Sequence, residues 1–127
     1  MKNKMLSECI SIARNKIEKH PMDKFIHFTF IVQGKKILGF GTNRYGPAPT
    51  GFGYDENSEI HSEPDAFHKY GNKIDKTKPF KVVNIRFNKL GEIKMSKPCK
   101  CCNGFLKVMG ANTVWFTTDA GWAKMDL

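Results

Sequence analysis

Two short stretches of this chain decide how it folds: His61-Ser62-Glu63 and, further on, Pro98-Cys99-Lys100-Cys101-Cys102. Each stretch stands at the start of a predicted helix that follows a loop or a strand. Cys99 and Cys102 are three residues apart, so one helical turn places both sulfurs on the same side. The helix N-terminus also favours the ionised thiol that metal ligation requires. The two stretches therefore predict two helix starts that meet at one metal ion.

The side chains of these stretches can form a metal site with one open position. His61, Cys99 and Cys102 supply one imidazole and two thiolates, which leaves the fourth position of a tetrahedral zinc ion open. A water at that position has its pKa lowered from about 15.7 towards roughly 7. Glu63 is not needed as a ligand, so it can take the proton of that water and pass it to a departing amine. The pattern H-x-E followed by P-C-x-x-C is the signature of zinc nucleobase deaminases.

A closed zinc site in a binding module is the alternative interpretation of the same residues. Cys101 would then be a fourth ligand, but the neighbouring residues Cys101 and Cys102 cannot easily both face one ion from a single helix. A closed site would also leave Glu63 without a function. We therefore interpret His61, Cys99 and Cys102 as the ligands of a catalytic Zn²⁺, with Glu63 as the catalytic residue.

Outward from the two motifs, hydrophobic periodicity predicts helices and strands in the order α-β-β-α-β-α-β-β. The first helix is capped by Ser7 and ends at His20-Pro21, and a Gly/Pro-rich loop at 43–58 has the length of a binding loop. The other predicted elements are strands at 25–32, 37–41 and 80–87, helices at 59–70 and 99–109, and a final hairpin of strands at 112–117 and 122–127. Strands alternating with helices predict an α/β fold: one domain, 1–127, with three α-β-α layers and a mixed five-stranded sheet.

At these motifs the chain resembles the cytidine deaminase-like superfamily, whose members deaminate nucleosides, nucleotides, transfer RNA or polynucleotides. The resemblance extends from residue 25 to residue 118, although only the zinc motifs are specific. It implies the cytidine deaminase-like fold, with the ligands and the proton shuttle named above. It also implies that the backbone at Ser62 and near Lys97 lies against the edge of the base, and that Asn43 contacts the sugar. A simple turn residue is the alternative for Asn43.

The chain departs from the free-cytidine deaminases in two places. These enzymes commonly have a cysteine where this chain has His61. Arg44-Tyr45-Gly46-Pro47 follows Asn43, so the glutamate that these enzymes have shortly after the asparagine is missing. In addition, Ser96-Lys97-Pro98-Cys99 is similar to the serine-containing approach to the cysteine motif in polynucleotide cytosine deaminases. These features argue against an ordinary free-cytidine enzyme.

The charge of the chain also bears on its substrate. Lys and Arg number 21 against 12 Asp and Glu, which gives a formal net charge of +9. Such a basic balance favours a polyanionic partner such as nucleic acid, although a lysine-rich surface in a composition-biased organism gives the same charge. Aromatic side chains near lysines can stack the bases of a single strand. The candidates for stacking are Tyr45, Phe52, Tyr54, Trp115 and Trp122, of which Trp115 is also a candidate for the core.

We therefore favour cytosine in single-stranded DNA or RNA as the substrate, because a base within a duplex would have to be extruded first. The alternative is a free (deoxy)cytidine nucleotide or nucleoside, with a lysine or Arg44 binding one phosphate. The choice of cytosine rests on the frequency of that substrate in the superfamily. The predicted substrate-binding residues are Asn43, Tyr45, Ser62 and Lys97.

No targeting or membrane-spanning segment is apparent in the sequence. Polar Ser7 and Glu8 interrupt the basic start of the chain where a signal peptide needs apolar residues. The longest apolar run, at 25–32, is too short to cross a bilayer. Three of the four cysteines cluster in one motif, which is typical of metal binding inside the cell rather than of disulfides. We expect a cytoplasmic protein without membrane contact, whose exposed hairpin edges allow a homo-oligomer.

Overall fold

A mixed β-sheet with helices on both faces forms the centre of the protein. The computed structural model describes residues 3–19, 25–54 and 59–127. Within these ranges the helices are α1 (Asn3–Lys19), α2 (Ser62–Tyr70) and α3 (Lys100–Met109), and a short 3-10 helix lies at Gly71–Lys73. The strands are β1 (Ile26–Gln33), β2 (Lys36–Thr42), β3 (Arg44–Tyr45), β4 (Glu59–Ile60), β5 (Lys81–Phe87), β6 (Ile93–Lys94), β7 (Thr113–Thr118) and β8 (Gly121–Asp126).

The main sheet has the strand order β2-β1-β5-β7-β8. β1 is antiparallel to both β2 and β5, whereas β5 and β7 run parallel. β8 returns antiparallel to β7, which confirms the predicted final hairpin. The short strand β6 pairs with the end of β5 and adds a sixth strand to the five that the sequence predicts. The sheet is therefore mixed, as expected.

The α1 side of the sheet is an apolar layer. Alternate residues of β1 and β5 face this side because successive side chains of a strand point to opposite faces. They pack against Leu6, Cys9 and Ala13 of α1. The sheet residues of this cluster are Ile26, Phe28, Phe30, Val32, Val83, Ile85 and Phe87.

None of the helices in the described ranges is both long and apolar enough to cross a membrane.

Helices α2 and α3 cover the opposite face. Ala66 of α2 and Leu106 of α3 are fully buried against Ile31, Val82 and Val114 of the sheet. Two helices on one face and α1 on the other give three layers. This arrangement confirms the predicted α-β-α architecture.

The structure differs from the prediction at several element boundaries. α2 begins at Ser62 rather than at residue 59, because Glu59–Ile60 pairs with Arg44–Tyr45 in a separate two-stranded sheet. The predicted loop at 43–58 therefore contains β3, and residues 55–58 lie outside the described ranges. α1 begins at Asn3, so Ser7 is an exposed residue within the helix and not its cap. The predicted helix end at His20-Pro21 also lies outside the described ranges.

Helix α2 approaches β2 so closely that only glycine fits at the contact. A Cβ at Gly41 would overlap the backbone nitrogen of Ala66, and one at Gly39 would overlap the ring of Tyr70. Backbone cannot move aside as a flexible side chain can, so Gly41 imposes the stronger restriction. The position of α2 on the sheet thus depends on Gly41.

Replacing Gly41 with alanine should destabilise the protein, because the added methyl group forces α2 away from β2. We expect Gly41→Ala to lower the free energy of unfolding by about 1–3 kcal/mol, the usual cost of overpacking. Gly104→Ala is the matched control, since a Cβ at this position in α3 would meet nothing within 4 Å. It should raise the free energy of unfolding by about 0.5–1 kcal/mol. Urea denaturation measures both, and equal stability of the two variants would contradict the close contact.

Candidate active site

The residue that directly precedes each of the helices α2 and α3 contributes a side chain to the site. His61 is the N-cap residue of α2 and Cys99 that of α3, and both have extended backbone conformations. Cys99 Sγ accepts a hydrogen bond from the backbone nitrogen of Cys102 at 3.4 Å, as N-cap side chains commonly do. His61 makes no such cap bond. Its ring is instead directed at the two cysteines of α3.

His61, Cys99 and Cys102 form one cluster. His61 Nδ1 lies 3.3 Å from Cys102 Sγ and 3.8 Å from Cys99 Sγ, and the three ligand atoms all lie within 4.8 Å of one another. A tetrahedral zinc ion with ordinary Zn–N and Zn–S bonds holds such atoms about 3.6–3.8 Å apart. The spacing and the mixed nitrogen and sulfur donors therefore fit a zinc ion. Cys101 is not part of the cluster, because its Sγ lies on the side of Gly53.

The surroundings of Cys102 favour a neutral thiol unless a cation is bound. Burial, followed by the nearby Glu63 carboxylate, raises the pKa of Cys102 well above its usual range, although the hydroxyl of Tyr54 acts in the opposite direction. That hydroxyl lies 2.7 Å from Cys102 Sγ, and the Tyr54 ring packs edge-on against His61 with the ring centroids 4.9 Å apart. A divalent metal would offset the effect of burial, since coordinated thiols are deprotonated. The buried sulfur is thus better suited to a metal than to acting as a free nucleophile.

Glu63 is held by a buried network of hydrogen bonds. The residue is only 5% exposed, and its Oε2 accepts a hydrogen bond from Asn84 Nδ2 at 2.9 Å. Asn84 Nδ2 also donates to the carbonyl of Ser96 at 3.2 Å, and Asn84 Oδ1 accepts from the hydroxyl of Thr29 at 2.8 Å. Ser62 Oγ lies 2.7 Å from Thr29 Oγ1 and 3.2 Å from Glu63 Oε1. The carboxylate is therefore fixed beside the His61–Cys99–Cys102 cluster.

A small cavity opens in front of this carboxylate. Its volume is about 130 Å³, and its wall includes His61, Glu63 and Cys99. The remaining lining residues are His27, Asn43, Glu59, Ser62, Ser96 and Lys97. The cavity therefore joins the His61–Cys99–Cys102 cluster, the Glu63 carboxylate and several further polar side chains in one place.

His27 lines this cavity with an uncharged side chain. Burial is the largest influence on its side chain and lowers the pKa of His27 below the usual value, while Glu63 acts in the opposite direction. Its backbone nitrogen donates to Asn43 Oδ1 at 2.9 Å. This bond occupies the side-chain oxygen of Asn43 and leaves its amide group near Glu59 Oε1, at 3.4 Å.

The structure brings most of the predicted site residues together. Asn43, Ser62 and Lys97 line the cavity with the three cluster residues and Glu63 close by. Tyr45 does not line it and is 81% exposed, so its contact with substrate stays a prediction.

The other aromatic candidates for stacking are engaged in packing. Phe52 packs against Phe105, with the ring centroids 5.3 Å apart, and Tyr54 packs against His61. Trp115 and Trp122 pack on the α1 side of the sheet, which is the face opposite the cluster. Trp115 is partly buried and packs against the core, with Lys124 Nζ 5.7 Å from the centre of its ring, so the core expectation is met only in part. Both tryptophans are on the wrong face for stacking a base in the cavity.

Four residues at or next to the site lie outside the two sequence motifs and were not predicted: His27, Thr29, Glu59 and Asn84. Three of them carried a signal, because they are polar residues within largely apolar strands. His27 and Thr29 interrupt the run at 25–32, and Asn84 interrupts the run at 80–87. A polar residue in a buried strand needs a hydrogen-bonding partner, which marks such positions as candidates. Glu59 gave no comparable signal.

The comparison with solved structures identifies the fold. A cytidine deaminase from Burkholderia pseudomallei superposes with a TM-score of 0.64 at 17% identity, over 99% of this chain and 93% of that chain. The dCMP deaminase of cyanophage S-TIM5 in its apo form gives 0.58 at 17% identity, over 93% and 86%. The same deaminase with dCMP and dUMP gives 0.55 at 17% identity, over 90% and 81%. No protein-family model and no curated sequence matches the chain. The chain therefore has the cytidine deaminase fold, as the resemblance implied.

An ionic contact fixes the first turns of α2 beside the cluster. The fully buried carboxylate of Asp65 accepts hydrogen bonds from Arg44 Nε at 2.6 Å, from the Thr42 nitrogen at 2.9 Å and from Lys69 Nζ at 3.0 Å. Burial alone would raise the pKa of Asp65, but these three donors outweigh it and hold the pKa below the usual value. This contact uses only Nε of Arg44, whose side chain is 42% exposed, so the use of Arg44 as a phosphate ligand stays a prediction.

Protonation of Asp65 should destabilise the protein in acid. Because its pKa is lower in the folded chain than in the unfolded chain, its contribution is full above about pH 4 and is lost as the pH falls through the folded-state pKa. We expect Asp65→Asn to cost roughly 1–3 kcal/mol at neutral pH. When the pH is lowered from neutral to acid, the free energy of unfolding of the Asp65→Asn variant should also fall by less than that of the wild type. Urea denaturation at several pH values tests this, with exposed Asp119→Asn as the control; parallel pH curves for the wild type and Asp65→Asn would contradict it.

Proposed function

We propose that this protein is a zinc-dependent hydrolytic deaminase that converts the cytosine base of a free nucleoside or nucleotide to uracil. The observation that carries the proposal is the His61–Cys99–Cys102 cluster beside Glu63, in one small cavity. Three ligands and a free position are typical of catalytic rather than structural zinc. The Glu63 carboxylate lines the same cavity and is not one of the cluster residues, which supports a role in moving protons. This combination is what the hydrolysis of an exocyclic amine needs.

The residues of the cavity account for the chemistry as follows. A zinc ion held by the cluster would supply an activated water by lowering the pKa of that water. The water oxygen would bond to the ring carbon that carries the amino group. Glu63 would pass one proton of that water to the ring nitrogen and the other to the departing amino group, which leaves as ammonia, and would thus act as general base and general acid in turn. Its burial removes competing bulk water and strengthens each electrostatic contact. The backbone at Ser62 and Lys97 would hold the edge of the base in our proposal.

The size and lining of the cavity support a small substrate. About 130 Å³ accommodates one pyrimidine ring with little space to spare. Asn43 and Glu59 are adjacent in its wall and present an amide and a carboxylate, which suit the hydroxyl groups of a sugar. Glu59 also provides a carboxylate next to Asn43. The four residues that directly follow Asn43 in the sequence include no acidic residue. The dCMP deaminase of cyanophage S-TIM5, which was crystallised with dCMP and dUMP, has the same fold and supports a nucleotide substrate.

Single-stranded nucleic acid is the second candidate, and one surface groove favours it. The groove has a volume of about 490 Å³ and contains Phe25, with Arg86 Cζ 4.1 Å from the centre of the Phe25 ring. Lys89 and Lys94 add positive charge to it. It is next to the cavity, because Arg86 of β5 pairs with His27 of β1. A base flanking the target cytosine could stack there while the cations neutralise its phosphates.

Replacing Glu63 should separate metal binding from turnover. We expect Glu63→Gln to lower kcat by a factor of about 10²–10⁴, the usual contribution of general acid–base catalysis, while it retains the bound zinc. Cys102→Ser should lose both zinc and activity, because it removes a ligand. Metal analysis and a uracil-formation assay measure the two properties. Cys101→Ser is the control and should keep zinc and activity, since Cys101 is outside the cluster.

The closed-site alternative makes the opposite forecast for these variants. A structural zinc ion would leave every function of Glu63→Gln intact and would require Cys101 for metal retention. Loss of zinc from Cys101→Ser, with retention by the wild type, would therefore overturn the proposed catalytic site.

A substrate panel distinguishes the two candidate functions. The zinc-loaded protein is incubated with cytidine, deoxycytidine, their monophosphates, and cytosine-containing single-stranded DNA and RNA, and uracil is measured. We expect turnover of a monomer with little dependence on salt. The variants Lys89→Glu and Lys35→Glu should then turn over the monomer at the same rate. Lys35→Glu is the control, a charge reversal in the exposed turn between β1 and β2.

Preferential turnover of an oligonucleotide would favour the second candidate instead. In that case Lys89→Glu should weaken binding far more than Lys35→Glu, and the affinity should fall steeply with salt. Absence of uracil from every substrate would contradict the cytosine assignment altogether.

A further inference from the structure

Two buried polar residues face each other in the middle of the sheet and do not belong to the metal cluster. Thr29 of β1 and Asn84 of β5 are direct partners in the antiparallel pairing. Thr29 is fully buried and Asn84 is 2% exposed. Buried polar groups in a strand cost stability unless all their hydrogen bonds are made, so their presence requires an explanation.

Three contacts hold the amide of Asn84 in one orientation. Its nitrogen donates to Glu63 Oε2 and to the carbonyl oxygen of Ser96. A reversed amide would place its oxygen against these two acceptors, which excludes that orientation. With the nitrogen so directed, Asn84 Oδ1 faces Thr29 and accepts a hydrogen bond from its hydroxyl.

The two carboxylate oxygens of Glu63 are held unequally. Asn84 Nδ2 donates to Oε2 at 2.9 Å. Oε1 accepts from the hydroxyl of Ser62 at the longer distance of 3.2 Å, and that hydroxyl also lies 2.7 Å from Thr29 Oγ1, where either oxygen can donate. Oε2 is therefore the more firmly held oxygen, and Oε1 is the one with the weaker contact.

We propose that Thr29 and Asn84 are positioning residues that orient Glu63 so that Oε1 is the oxygen that takes and returns the proton. This inference rests on the proposed deaminase function. Asn84 acts directly on the carboxylate, and Thr29 acts through Asn84. Neither residue lines the cavity, so neither should affect how tightly the substrate binds.

The test compares two substitutions at Thr29. Thr29→Val keeps the shape of the side chain but removes the hydroxyl, while Thr29→Ser keeps the hydroxyl and removes a methyl group. We expect Thr29→Val to lower kcat roughly tenfold to a hundredfold, the smaller part of what general acid–base catalysis contributes, with KM changed less than about twofold. Thr29→Ser should restore most of kcat. Zinc content should stay the same in both variants.

Two further variants separate positioning from general loss of packing. Ile31→Val shortens a buried side chain on the same strand and the same face as Thr29, and it should keep the wild-type kcat. Asn84→Ser removes the donor to Glu63 and should lower kcat at least as much as Thr29→Val. The double variant Thr29→Val/Asn84→Ser should lose no more than Asn84→Ser alone, because Thr29 acts through Asn84.

A stability measurement tests the same contact in variants that fold too poorly for kinetic assays. A double-mutant cycle of Asn84→Ser and Glu63→Gln, measured by urea denaturation, should give a coupling between the two side chains. An active wild type whose Thr29→Val variant keeps kcat, or a cycle without coupling, would overturn the positioning role. An inactive wild type that still shows the coupling would overturn the proposed function instead.

Discussion

The contact of α2 with β2 is the constraint on which the site depends. Gly41 lets the backbone of the two elements meet, and Asp65 joins them by accepting a hydrogen bond from Thr42. His61 and Glu63 belong to the first turn of the same helix, so their positions follow from this contact. The cysteines come from α3, on a separate part of the chain. The cluster can form only where both helix N-termini reach the same place on the sheet.

The two faces of the sheet have different tasks. On the α1 side, the Phe28 ring packs against the rings of Phe30, Phe40 and Phe87, and Phe30 against Phe40, with centroids 5.2–6.3 Å apart. On the other side, β1 and β5 present His27, Thr29 and Asn84 towards α2 and the cavity. Because side chains alternate along a strand, a single pair of strands provides both surfaces. A rigid apolar layer thus lies directly beneath the groups that have to hold fixed hydrogen-bond geometry.

The sequence predicted the order of the main elements and the cluster because both depend on short-range patterns. Three-residue spacing in Cys99–Cys102 and the tolerance of Pro64 in a first helical turn are local properties. The two-residue strands β3, β4 and β6 have no periodicity to detect, since their existence depends on tertiary pairing. The roles of Thr29 and Asn84 likewise appear only when β1 and β5 are set in register. The position of Glu59 beside Asn43 follows from the pairing of β3 with β4, which no local pattern indicates.

The fourth cysteine lies apart from the chemistry of the other three. Cys9 is fully buried between α1 and the sheet, and burial, with the adjacent Glu8, raises its pKa to about 12. The thiolate is the form that reacts with alkylating and oxidising reagents, so Cys9 is inert at neutral pH while the chain stays folded. The accessible thiols of the native protein are therefore Cys99 and, in part, Cys101. Because Cys101 lies outside the cluster, the labelling of Cys99 is what reports on whether the cluster holds a metal, without interference from the core.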